Sequence, residues 1–148
     1  MTTAPLIPQQ MEIVRSPGAR PFPPRVSTFT RPYWDALAEG RLMTSCCGGY
    51  GRLSFPPKPV CRECWSEVVV WRDLQPTAML YSYTRLHIVP GAFRADAPYD
   101  IGIVDLADGV RLMCRILPGA RELRPDMPVS MLTLKYDDGP LLAARPSR

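Results

Sequence analysis

The chain has 148 residues, 46% of them hydrophobic, so it can bury a real core as one domain or as a small module joined to a larger one. Its 18 prolines exclude a helical bundle, and a formal charge of only +4 with scattered arginines lacks the electrostatic footprint of a nucleic-acid binder. No apolar run reaches membrane-spanning length, and the N-terminus lacks the layout of a signal peptide.

Residues 1–29 carry Pro5, Pro8, Pro17, Pro21, Pro23 and Pro24 without sustained periodicity. Proline fixes φ and removes donors, so this segment is expected to be extended and to lack a core of its own. It reads either as a disordered tail or as an arm laid over a partner subunit. The second reading accounts for Met11, Ile13, Val14, Phe22 and Phe29, which a free tail does not need.

Residues 30–41, TRPYWDALAEGR, predict a short helix, the core of a docking element over 30–43. Thr30 stands at the N-cap, Pro32 in the first turn, and Gly40 at the stop. Tyr33, Trp34, Leu37 and Ala38 form an apolar stripe about two turns long. A helix this short must dock on something.

Residues 44–71, TSCCGGYGRLSFPPKPVCRECWSEVVVW, hold four of the five cysteines. Cys61-Arg62-Glu63-Cys64 has the spacing at which two thiolates grip one tetrahedral metal. The matching upstream knuckle is Cys47-Gly48-Gly49-Tyr50, with tyrosine where a second cysteine is expected. The pattern C-x2-Y-x10-C-x2-C is a four-cysteine zinc ribbon missing one ligand. Cys47, Cys61 and Cys64 are therefore the candidate Zn²⁺ ligands, with water or Cys46 completing the set. The other reading is a ribbon that has lost its metal and packs Tyr50 into the gap. Either way the site is structural, since a closed ribbon leaves no open coordination position. An odd cysteine count with a C-x2-C pair fits a reducing cytosol, so a cytoplasmic location is expected.

Residues 72–148 alternate as strands. Residues 68–71 lead out of the second knuckle, and 79–89 form a long strand. Its odd positions, Met79, Tyr81, Tyr83, Arg85 and His87, are expected to share one face. Residues 90–98 form a loop, and 99–107 and 110–117 form a hairpin across Asp108-Gly109. A connection over 117–128, a strand over 128–136, a turn at 137–139 and a short final strand complete the count. About five strands in about 80 residues suit a small closed OB-type barrel. The fold class is thus mainly β: a short helix, a rubredoxin-like ribbon and a five-stranded OB-fold.

The helix at 30–41, Cys47, Pro56-Pro57, Cys61-Arg62-Glu63-Cys64, Tyr81-Ser82-Tyr83-Thr84, Pro98-Tyr99 and residues 104–112, VDLADGVRL, together resemble the zinc-ribbon plus acyl-CoA-associated OB-fold family. The resemblance covers about residues 28–136. It departs at Tyr50, where the family has a ligand cysteine, and at residues 75–78, where a frequent glycine is absent. Members of that family usually serve as non-catalytic subunits beside thiolase-like enzymes that make or break carbon–carbon bonds on acyl-CoA. The resemblance therefore implies a thiolase-like catalytic partner, a CoA thioester as the substrate of the complex, and a hetero-oligomer.

The single histidine, His87, is placed mid-strand, away from the cysteine cluster, so independent thiol catalysis is not expected. Cys114 falls on an alternating apolar face and reads as core. Trp34, Tyr81, Tyr83, Arg85, His87, Phe93 and Arg94 are candidate acyl-CoA or partner contacts, and Arg111 and Arg115 are further candidates for the CoA phosphates. The tyrosine–basic face also suits a rival reading, a single-stranded nucleic-acid OB module that stacks bases on aromatics. A stand-alone acyl-CoA carrier is the third reading.

Overall fold

In a computed structural model, residues 7–148 are described; the start of the arm, with Pro5, lies outside them. The barrel is built from β5 (Thr77–Leu86), β6 (Tyr99–Leu106), β7 (Arg111–Ile116), β8 (Pro128–Tyr136) and β9 (Gly139–Pro146). Their order is β8-β5-β6-β7-β9, and β9 pairs back onto β8, which closes the sheet. The expected OB-type barrel is present. Leu80, Val104, Ile116, Val129 and Met131 fill its interior, each at most 2% exposed. Gly102 is required inside: a Cβ there would sit 2.9 Å from both Leu80 and Ile116, neither of which has room to move. The last strand is eight residues long rather than short, because all of Gly139–Pro146 pairs against β8.

The ribbon is a separate three-stranded sheet, with β2 (Met43–Cys47) between β3 (Leu53–Ser54) and β4 (Val69–Asp73). Helix α1 (Arg31–Ala38) lies against β2, β8 and β9, so it docks within its own chain. Its buried stripe is Tyr33, Ala36 and Leu37, with Trp34 and Ala38 only half-buried. Gly40 ends it as expected: at φ +78 it donates to the Leu37 carbonyl at 3.0 Å, and Arg41 N–H donates to Ala36 at 2.8 Å. That pair of bonds is the glycine-dependent Schellman stop. Thr30 does not cap the other end. Its backbone is already helical, and its hydroxyl is taken up in a local turn with Ser27. No helix among the described residues is long and apolar enough to cross a membrane.

From residue 11 onward the arm is held against its own chain. Glu12–Arg15 forms β1, which pairs parallel with β8 in the register Glu12↔Leu132 to Arg15↔Lys135. Met11 is 4% exposed, and its N–H donates to the Gly40 carbonyl. Further along, Arg20 clamps the β8–β9 turn through the Asp138 and Pro140 carbonyls and the Asp138 carboxylate. Phe22 then packs on Phe93, and Phe29 stacks on Trp71 at 5.3 Å. Of the apolar residues in the arm, Met11 and Val14 pack on the barrel core and Phe29 on the ribbon, while Ile13 and Phe22 remain 40% and 68% exposed. Polar backbone on a free arm would gain nothing from those contacts, whereas an exposed edge of β8 gains a full strand of pairing.

One departure inside the barrel matters for function. The β5–β6 register runs Leu80↔Val104 and then Ser82↔Ile103, so β5 carries a β-bulge at Tyr81. Cross-strand partners share a face, and an inserted residue inverts every side chain beyond it. Tyr83 now pairs with Gly102, and Arg85 with the buried Asp100, on the barrel-interior side. Met79 and Tyr81 stay outside. The expected single face of Met79, Tyr81, Tyr83, Arg85 and His87 is therefore split. His87 lies beyond the end of the strand, exposed in a bend, rather than mid-strand.

Candidate functional site

Two knuckles face each other across the ribbon. In the first, Cys47 N–H donates to the Arg52 carbonyl and Gly51 N–H returns to Cys47; in the second, Cys61 N–H donates to Ser66 and Trp65 N–H returns to Cys61. All four bonds are 2.8–2.9 Å. The loops are thus the same turn, and position by position Tyr50 corresponds to Cys64 and Gly51 to Trp65. Both Gly51 (φ +67) and Trp65 (φ +61) take the left-handed conformation the turn demands. For Trp65 that backbone is uncommon, and its side chain is left 78% exposed. Gly48 is held at the crossing, where a Cβ would meet Val68 at 2.9 Å.

This symmetry gathers three thiols. The Sγ atoms of Cys47, Cys61 and Cys64 lie within 4.8 Å of one another, and Cys47 and Cys64 are 3.5 Å apart. Three soft donors at knuckle spacing fit Zn²⁺, and they are the three ligands expected. Cys46 is not with them. It precedes Cys47 on a strand, so its side chain leaves the opposite face, where its Sγ meets only the Cys47 carbonyl at 3.8 Å. Nor does Tyr50 plug the gap: it is 74% exposed, and only its backbone N–H turns inward, to Cys47 Sγ at 3.5 Å.

The N–H groups of Tyr50 and Gly49 stabilise a thiolate at Cys47 and lower its pKa to about 7. Cys64 goes the other way. The Ser66 backbone favours its thiolate, but hydrogen bonding to Cys47, burial and Cys61 outweigh that and hold its pKa up. Metal uptake must therefore expel a proton from Cys64 at neutral pH, and below about pH 7 from Cys47 too. Zinc affinity is expected to fall by at least about tenfold per pH unit on acidification from about pH 8 to about pH 6, as measured by chelator competition. A flat profile would show that the thiols are not the ligands.

The other candidate residues are dispersed. Arg85 forms a two-point pair with Asp100 at 3.0 and 3.1 Å, and Tyr83 donates to the Leu123 carbonyl at 2.9 Å. On the outer face, Arg111 pairs with Asp105 at 2.6 and 2.9 Å while its guanidinium lies 3.9 Å from the Tyr81 ring centre. Arg115 sits over Tyr99 and bridges to Asp96 at 3.3 Å. Phe93 packs between Phe22 and Tyr99 in a 3-10 turn (Gly91–Asp96) inside the expected loop, and Arg94 beside it is exposed. Trp34 meets Tyr33 edge-on at 4.9 Å, with Arg20 6.0 Å from its ring. A continuous stacking platform beside unpaired cations, which the nucleic-acid reading requires, is not what β5 presents.

Comparison with known proteins agrees with the fold. The model of the ChsH2 rubredoxin-like zinc ribbon domain matches residues 34–70, and that of the ChsH2 C-terminal OB-fold domain matches residues 71–134. The chain belongs to this ChsH2 ribbon and OB-fold family. A chain of the solved Ltp2-ChsH2(DUF35) aldolase aligns with a TM-score of 0.73 at 28% identity, over 84% of this chain and 98% of that one. The benzoylsuccinyl-CoA thiolase subunit BbsA of Thauera aromatica is 27% identical over 127 residues, 81% of this chain and 87% of the relative. A probable enoyl-CoA hydratase alpha subunit of Thermomonospora curvata is 28% identical over 116 residues, 77% of this chain. The match spans only 36% of that longer relative.

Proposed function

We propose that this chain is a non-catalytic accessory subunit of a thiolase-like enzyme acting on acyl-CoA, by thiolysis, Claisen condensation or retro-aldol cleavage. The observation that carries the reading is the shared fold with the Ltp2-ChsH2(DUF35) aldolase, which extends over nearly the whole of that chain. The thiolase subunit BbsA supports the same class of partner.

The chain's own chemistry is consistent with a supporting role. Each cysteine has a structural place: three in the ribbon cluster, Cys46 buried behind it, and Cys114 in the barrel. Burial pushes the Cys114 thiol up to about 12, which keeps it protonated and a poor nucleophile. The outer face of β5–β7 instead offers contact surface. Met79, Tyr81 and Met113 are 45–69% exposed there, next to the half-buried Ile101 and Ile103. An apolar face of this kind on a closed barrel suits burial against a catalytic subunit that brings the reactive cysteine and histidine.

Native purification of the tagged chain from its source cell, with mass spectrometry of what co-elutes, tests the proposal. A thiolase-like protein in stoichiometric amount is the expected result. A chain that elutes alone, or with nucleic acid, overturns it.

A further inference from the structure

A cleft of about 510 Å³ opens between the ribbon and the barrel, floored by Leu53, Phe55, Pro56 and Val110. Five cations line it: Arg52, Lys58 and Arg62 from the ribbon, Arg72 from β4 and Arg111 from the β6–β7 hairpin. Only two carboxylates, Glu63 and Asp108, face them. Asp108 is already engaged, accepting the Gln75 N–H at 2.7 Å, and Glu63 meets its sequence neighbour Arg62 only at 3.9 Å, in the open. Arg111 is held by Asp105. Arg52, Lys58 and Arg72 have no ion-pair partner among the described residues, although Arg41, one strand away, is paired with Asp73. The lining thus carries a local excess of positive charge at one concave place, drawn from residues spread over about 60 positions of sequence. Gathering like charges costs energy unless an anion answers them.

We propose that this cleft recognises the phosphate groups of a nucleotide-type ligand, the chemical class to which CoA belongs. The cations would meet the phosphates, arginine by forked hydrogen bonds, while the apolar floor takes the uncharged remainder. Its volume is in the range of small-molecule sites. This inference rests on the acyl-CoA reading above for its choice of ligand. It places the phosphate contacts on Arg52, Lys58 and Arg72 rather than on Arg85, Arg94, Arg111 and Arg115: Arg85, Arg111 and Arg115 are paired with aspartates, and Arg94 does not line the cleft.

The test is titration of the full chain with adenosine 3′,5′-bisphosphate, with adenosine and inorganic pyrophosphate as separate arms, followed by NMR or calorimetry. Binding of the bisphosphate, competition by pyrophosphate, and weakening of adenosine to below detection are expected. Arg52→Glu with Arg72→Glu should reduce affinity at least tenfold, while Arg121→Glu, away from the cleft, leaves it unchanged. Should the double variant unfold, the wild-type salt dependence decides, since affinity must fall steadily as NaCl rises. Equal binding of adenosine, indifference to charge reversal, or tighter binding of a single-stranded oligonucleotide overturns the proposal. A thiolase-like partner that co-purifies while the bisphosphate fails to bind would sink only the cleft assignment. Bisphosphate binding without any such partner would sink the accessory-subunit reading and leave the cleft standing.

Discussion

Tyr50→Cys is expected to tighten zinc binding by roughly 10²–10³-fold. Four-ligand structural zinc sites are worth about 10–16 kcal/mol, so one thiolate contributes about 3 kcal/mol, and about 1.4 kcal/mol is tenfold. The substitution is placed by the knuckle symmetry rather than by spacing alone. Tyr50 holds the position in the first turn that Cys64 holds in the second, as the matched bonds of Cys47 with Arg52 and Cys61 with Ser66 show. The present side chain is 74% exposed and supports no packing that the change would lose. Competition against a chromophoric chelator measures the affinity, and Co²⁺ substitution reports the ligand set by its thiolate charge-transfer intensity. An unchanged affinity with an unchanged spectrum would mean that residue 50 does not face the metal, and the equivalence of the two turns would be wrong. A tyrosine at this place also makes for a weaker site than a four-cysteine ribbon, so zinc loaded into it should be removable by mild chelation.

Local chemistry was legible in the sequence, and long-range register was not. The Gly40 stop, the two knuckles and the Asp108-Gly109 hairpin each follow from residues within a few positions of one another, and the structure has them all. The bulge at Tyr81 left no such mark. Alternation through MLYSYTRL is unbroken, and only the pairing with β6 shows that one residue is extra. Because a bulge inverts everything after it, that single residue dissolved the tyrosine–basic face on which the nucleic-acid reading stood. The arm is a second case. Its partner strand lies about 120 residues away, and no spacing in a proline-rich segment announces a parallel edge pairing. The cleft cations are a third, brought together by the fold from two modules. Cys46 belongs with the legible features: adjacent residues of a strand point to opposite faces, so Cys46 and Cys47 do not serve one metal, and the structure keeps Cys46 apart from the three clustered thiols.

Leu37→Ala is expected to destabilise the chain by about 2–5 kcal/mol, the range for a fully buried leucine truncated to alanine. Leu37 is 0% exposed in the main core cluster, beside Tyr33 and Leu42. Its own carbonyl, one of the orphans at a helix end, accepts the buried hydroxyl of Thr133 at 2.8 Å as well as the Gly40 N–H. An eight-residue helix has almost no stability of its own, so the cavity would loosen the helix as a unit. Met11 would follow, since its N–H is anchored at Gly40 and its side chain lies in the same cluster. For a domain of this size the loss corresponds to a drop in melting temperature of roughly 5–20 °C, readable by circular dichroism with urea unfolding as the equilibrium check. The experiment also separates two roles for the helix. A loss below about 1 kcal/mol combined with failure to bind a catalytic subunit would mean that α1 serves the partner and only rests on the barrel. The expected loss in the isolated chain means that the helix, the arm and the barrel fold as one body, and that any partner meets them already assembled.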